Sequence, residues 1–308
     1  LFSLGLLVWL FLSLNWRDLI IAISTVPTHI TGLGILLLVI SQAFGAWRLQ
    51  LLLIAQEFCL SYFYIFRLTL IGLFISNFLP STMGGDVVKV LILAKRKQVK
   101  ITPIASVLVD RLLNLLAIVV LFPSVIVLSR ILNPMIIQAI GFSLMALIGC
   151  GLLAALIYSR RRSASKRVQL HKLESLASSK LQRFREIASQ ISRRWLDHPK
   201  TLLWGLVLSL ASVMSATCSI WIASQALNIS VNFIEIVAIV VLLYLVTLLP
   251  ISLNGWGVQE FSIHYLLTQL GATPSQALAL AVLARVFYLG TSLLGAFDVL
   301  TWRKVTGT

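Results

Sequence analysis

The chain has 308 residues, 59% of them hydrophobic and 11% charged, with a formal net charge of +15. A soluble domain carries roughly 25% charged residues, so a water-covered globular domain is excluded. Apolar runs long enough to cross a bilayer core of about 30 Å as helix recur without period-2 alternation, which favours helices over a barrel. The predicted class is an all-α, polytopic helical membrane protein.

Leu1 to Leu14 is the first apolar run. It reads as a trimmed span rather than a signal peptide, since no convincing small-residue cleavage site follows. A polar connection with Pro27 leads to a span over Ile30 to Ile54, and Gln56 to Arg67 is aromatic and polar, as at a membrane interface. Leu68 to Leu79 and Asp86 to Ala94 are short apolar arms on either side of a break; a re-entrant hairpin or two short crossings fit them. Spans are predicted at 103–128, 135–158, 202–227 and 276–300. A second broken pair lies at 233–249 and 257–270.

The break is Leu79-Pro80-Ser81-Thr82-Met83-Gly84-Gly85-Asp86, and it has an echo in Leu249-Pro250-Ile251-Ser252-Leu253-Asn254-Gly255-Trp256-Gly257-Val258-Gln259-Glu260. Arg111 follows Asp86 by 25 residues, and Arg285 follows Glu260 by 25. The order span, broken hairpin, span with a buried Arg therefore occurs at 30–128 and again at 202–300. Basic residues set the orientation: four lie in 95–100, twelve in 160–200 and two near the C-terminus, against none in 226–232 or 271–274. With the basic loops cytoplasmic, the extra span at 135–158 flips the second copy. The expectation is an inverted-topology repeat, an arrangement whose sites sit near the midplane at broken helices.

Arg111 and Arg285 lie roughly 14–15 Å deep at 1.5 Å per residue, where a charge needs a partner or a wet cavity. Two readings follow. Ion pairs with Asp86, Asp110 and Glu260 would hold the hairpins. Alternatively, the two guanidiniums converge on an anionic group, for which their planar donor forks suit phosphate. Gly84, Gly85, Gly255 and Gly257 permit close backbone approach at helix starts, where Asp86 and Glu260 are also placed to cap. Ser81, Thr82, Ser252, Asn254 and Trp256 complete the tips.

The 160–200 segment sets twelve Lys/Arg against Glu174, Glu186 and Asp197 and carries one apolar helical face. It is predicted to lie on the anionic inner leaflet as a basic amphipathic helix. That accounts for the net charge, and nucleic acid is not an expected partner. Cys59, Cys150 and Cys218 sit in apolar runs and suggest neither disulfide nor metal site. The four His have no ligand spacing, and no nucleotide loop or nucleophile motif is present. No cofactor, metal or catalysis is expected.

The stretch Ser76-Asn77-Phe78-Leu79-Pro80-Ser81-Thr82-Met83-Gly84-Gly85-Asp86-Val87-Val88-Lys89 resembles the lysylphosphatidylglycerol synthase transmembrane-region family. Asp110-Arg111, Asn254-Gly255-Trp256-Gly257-Val258-Gln259-Glu260 and Ala284-Arg285 match its other characteristic stretches. The resemblance covers essentially the whole chain. It implies a lipid flippase fold, which in bifunctional relatives moves aminoacylated phosphatidylglycerol outward and is followed by an aminoacyl-transferase domain. A stand-alone form without that domain is expected here, so lysyl transfer is not.

The expected function is a lipid translocator of a prokaryotic cytoplasmic membrane. Arg111 and Arg285 would hold a phosphate-bearing headgroup; Asp86, Asp110 and Glu260 would tune them. Ser81, Thr82, Gly84, Gly85, Asn254, Gly255, Trp256 and Gly257 would line the path. The alternative is a non-transporting subunit that presents lipid to, or scaffolds, a lipid-modifying transferase. A third reading, an enzyme using Asp86 and Glu260 as an acid/base pair, lacks a nucleophile or cofactor motif.

Overall fold

The computed structural model describes residues 26–79, 84–97, 101–130, 199–247 and 254–306, with a few isolated positions besides. The expected span at 1–14, the tip residues Ser81, Thr82 and Ser252, almost all of 135–158 and the amphipathic segment 160–198 lie outside the described residues. Eight α-helices are seen among the described residues: α1 Thr28–Ile54, α2 Tyr62–Ser76, α3 Gly84–Lys97, α4 Ile101–Leu121, α5 Pro199–Ala226, α6 Phe233–Thr247, α7 Val258–Gln269 and α8 Pro274–Thr306. A 3₁₀ helix, Phe122–Arg130, continues α4.

Local sequence explains the boundaries. Pro103 and Pro274 sit in first turns, where a missing N–H costs nothing. Pro123 interrupts α-type bonding inside an otherwise apolar run, and the helix tightens to 3₁₀ there. The aromatic stretch from Tyr62 was expected at an interface before a helical arm. It instead forms the first turns of α2, with Tyr62 stacked on Phe66 at a centroid distance of 6.1 Å.

Among the described residues, four segments are long and apolar enough to cross a membrane: Thr28–Ile54, Thr102–Ser129, Pro199–Ala226 and Pro274–Val299. Leu36, Phe63, Leu203, Leu293 and Phe297 are large, apolar and more than half exposed, which suits contact with lipid tails rather than water. The chain is a multi-pass helical membrane protein. The most enclosed of the four is Pro274–Val299, whose apolar window is 56% buried inside the molecule, against 17% for α1.

Helices α1 and α5 share the most extensive interface. There the hydroxyls of Ser41 and Ser212 lie 3.0 Å apart. Gly34 of α1 packs directly under the Phe287 ring of α8. Gly205 of α5 packs under Leu113 of α4, whose Cδ1 is 2.6 Å from where a Cβ would stand. Helix α2 lies along α8, and α6 lies along the 3₁₀ helix. The largest apolar core gathers α5, α6, α7 and α8 around Val213, Ile236, Leu267, Leu280 and Phe287.

Candidate functional site

The first break sits between α2 and α3, whose backbones touch. A Cβ on Gly85 would fall on the Gly72 carbonyl oxygen, so glycine is required for the arms to close. Asp86 lies in the first turn of α3. Its carboxylate accepts from Lys89 Nζ at 3.1 Å through Oδ1 and from Arg111 Nε of α4 through Oδ2.

The second break is a tight turn. Asn254, Gly255 and Gly257 all have positive φ, at 46°, 80° and 80°. Glu260 does two jobs. Its Oε2 accepts the Gly257 N–H at 2.8 Å, capping α7, and its Oε1 accepts Arg285 Nε at 2.5 Å. Arg285 Nη2 donates to Gln259 Oε1 at 3.2 Å. The guanidinium lies 4.6 Å from the Trp256 ring centroid and 5.9 Å from that of Tyr288, a partly aromatic enclosure. Both side chains of the Arg285–Glu260 pair are buried, at 9% and 8% exposure, whereas Arg111 is 33% exposed.

The breaks meet through amides. Asn254 Nδ2 donates to Asn77 Oδ1 at 2.8 Å and to the Tyr288 hydroxyl at 3.0 Å. Beside the second break is a cavity of about 200 Å³. Ser219, Tyr244, Gln259, Glu260, Arg285 and Tyr288 supply polar groups to its wall. Arg111 and Asp86 are not in that wall.

Asp110, expected beside Arg111, is instead committed to Arg48. Arg48 Nε and Nη2 donate to its two oxygens at 2.6 and 2.9 Å. Arg48 Nη1 also donates to Ser209 Oγ at 2.7 Å and, at 3.4 Å, to Asn114 Oδ1. Sequence reasoning missed Arg48. The signal was available, since it is a charge within an apolar span, but its partner is 62 residues away. Ser209→Ala removes one bond to a buried cation, and a loss of about 1.5–3 kcal/mol is expected. Thermal unfolding of the detergent-solubilised protein measures it, and an unchanged midpoint would show that the bond contributes nothing. A further pair, Arg67 Nε to Asp298 Oδ1 at 2.6 Å, ties α2 to α8.

The family described as lysylphosphatidylglycerol synthase TM region matches residues 1–295. No curated protein and no solved structure matches the chain. Both breaks, and the pairs Asp86–Arg111, Glu260–Arg285 and Arg48–Asp110, fall inside the matched stretch, and the chain belongs to the lysylphosphatidylglycerol synthase transmembrane-region family.

Proposed function

We propose that the protein is a lipid translocator and not an enzyme, moving a phosphate-bearing lipid between leaflets with its headgroup held beside Arg285. The observation that carries this reading is a cavity of about 200 Å³, apolar over most of its wall, that meets the buried Glu260–Arg285 pair at a helix break in a membrane-spanning bundle. That volume is below the roughly 300–1,000 Å³ of pockets for drug-sized ligands. It suits part of a headgroup, with the acyl chains left in the bilayer. The family's tie to a phosphatidylglycerol lipid points the same way.

The two halves, α1–α4 and α5–α8, are read as an inverted repeat with re-entrant hairpins. Several pairs support this. Ser41 and Ser212, 171 residues apart, touch each other, as equivalent residues do at a two-fold axis. The Gly34–Phe287 and Gly205–Leu113 contacts exchange under offsets of 171 and 174. The arms α2 and α6 have 15 residues each, about 22 Å at 1.5 Å per residue, which is short of a full crossing. With basic loops in the cytoplasm of a prokaryotic cell, rocking of one half against the other would expose the cavity to each side in turn. Arg111 and Asp86 would act on the path from the first half.

The rival reading, a non-transporting subunit serving a lipid-modifying transferase, is favoured by one observation. Asp86, Asp110, Glu260 and Asp298 are each already paired with an arginine. The test is translocation of headgroup-labelled phospholipids in proteoliposomes. Native protein should move at least one phosphate-bearing lipid faster than empty vesicles, and folded Arg111→Ala protein should be slower by about tenfold or more, the factor that 1.4 kcal/mol represents. Failure of the native chain to move any lipid in a broad headgroup panel would favour the scaffold.

A further inference from the structure

The Arg48 network has a counterpart in the second half, and that counterpart is the cavity. Under the offset of 171 that relates α1 to α5, Arg48 corresponds to Ser219, and Ser209 corresponds to Leu38. Under the offset of 174 that relates Arg111 to Arg285, Asp110 corresponds to Ala284 and Asn114 to Tyr288. All four counterparts, Leu38, Ser219, Ala284 and Tyr288, line the cavity. In the first half this space is filled by a guanidinium clamped at 2.6 and 2.9 Å to a carboxylate. In the second half the arginine is a serine and the aspartate an alanine, and about 200 Å³ is left open.

Ser219 is the telling residue. It is 1% exposed, and its Oγ has no hydrogen-bond partner among the described residues. A helical serine commonly returns its hydroxyl to a carbonyl one turn back, as Ser209 does to Gly205 at 2.8 Å. A buried hydroxyl left unpaired is costly, and Ser219 is one of the residues that line the cavity together with Arg285. Arg285 has five N–H donors, of which Nε and one on Nη2 are engaged by Glu260 and Gln259 among the described residues. An acceptor-rich oxyanion satisfies both groups at once.

We propose that this cavity is the headgroup site, that it takes a phosphodiester-type oxyanion through Ser219 Oγ and Arg285, and that Arg48 permanently plugs the equivalent site in the first half. The proposal rests on the repeat and on the translocator reading above. The site is one-sided: ligand binds in the second half, and the first half, its own copy filled by a tethered cation, moves around it.

The test is a binding titration on the full chain in nanodiscs, with short-chain phosphatidylglycerol and inorganic phosphate as separate probes, alongside lipid translocation in proteoliposomes. Ser219→Ala should weaken binding about tenfold, as for a hydrogen bond to a charged group. The combined Ser219→Arg and Ala284→Asp change rebuilds the first-half ion pair in the second half; it should abolish binding and transport while the protein still unfolds cooperatively. Should that combination fail to fold, Ser219→Ala decides alone, and unchanged affinity overturns the proposal. A native chain that moves lipid while both variants bind and transport normally also overturns it and leaves the translocator reading standing. Inorganic phosphate bound with the same Ser219 dependence, in a chain that moves no lipid, keeps the cavity as an oxyanion site and removes the translocator reading. Binding of neither probe by the native chain overturns the assignment.

Discussion

Arg285→Met and Glu260→Gln, made separately, should each destabilise the protein by about 3–5 kcal/mol, and made together should recover most of that loss. The reason is the burial of the pair, at 9% and 8% exposure. Either single change leaves an uncompensated charge away from water, whereas the double change leaves none. The Glu260→Gln change is milder than a deletion in one respect, because it retains an oxygen able to accept the Gly257 N–H that caps α7. Stability and transport should then part company. Lipid translocation by the double variant is expected to stay below about a tenth of native, since a headgroup phosphate would have lost its guanidinium, an effect of at least about 1.4 kcal/mol on the barrier. Thermal unfolding and proteoliposome flux on the same preparations measure both quantities. A double variant that regains native flux along with its stability would make the pair a strut between α7 and α8, with no part in holding ligand.

Much of this site was legible in the sequence because membrane helices punish exceptions. Pro and Gly in apolar runs marked both breaks, and the acids placed after them found the arginines 25 residues on, as Asp86–Arg111 and Glu260–Arg285. What stayed hidden depends on contacts between distant helices. Arg48 lies near one end of α1, where a long cation reads as snorkelling to the interface; only the approach of α4 and α5 turns it into the centre of a network. Asp110 belongs to that network and not to Arg111, because adjacency along a helix puts two side chains on different faces. The cavity was the least legible feature. It arises from Ser219 and Ala284 being small, and small residues in an apolar run carry no signal until the opposing wall is known.

Three glycines should rank in a fixed order when changed to alanine, and the order tests how α8 seats the first hairpin. A Cβ at Gly32 meets nothing within 4 Å. Gly32→Ala should therefore gain roughly 0.5–1 kcal/mol from helix propensity. At Gly290 a Cβ meets only the Ile35 side chain, its Cδ1 at 2.8 Å. A side-chain end can rotate away, so Gly290→Ala should fall within about 1 kcal/mol of native. At Gly295 the added atom would land on the Leu70 carbonyl oxygen, with the Ile71 nitrogen at 3.1 Å. Those are backbone atoms of α2 and cannot turn aside. Gly295→Ala should cost about 3 kcal/mol, the upper part of the usual overpacking range. The cost should extend beyond stability, because the same seam carries Arg67 Nε to Asp298 at 2.6 Å, Asn77 Nδ2 to Ser292 Oγ at 3.1 Å and the Ser76–Tyr288 hydroxyl contact at 3.4 Å. Pushing α2 off α8 lengthens all three, and Tyr288 and Asn77 are the groups that hold Asn254 at the second break. Melting midpoints of the three variants give the ranking directly. If Gly295→Ala melts with native protein, α2 is not clamped on α8, and the link from the first hairpin to the cavity must run elsewhere.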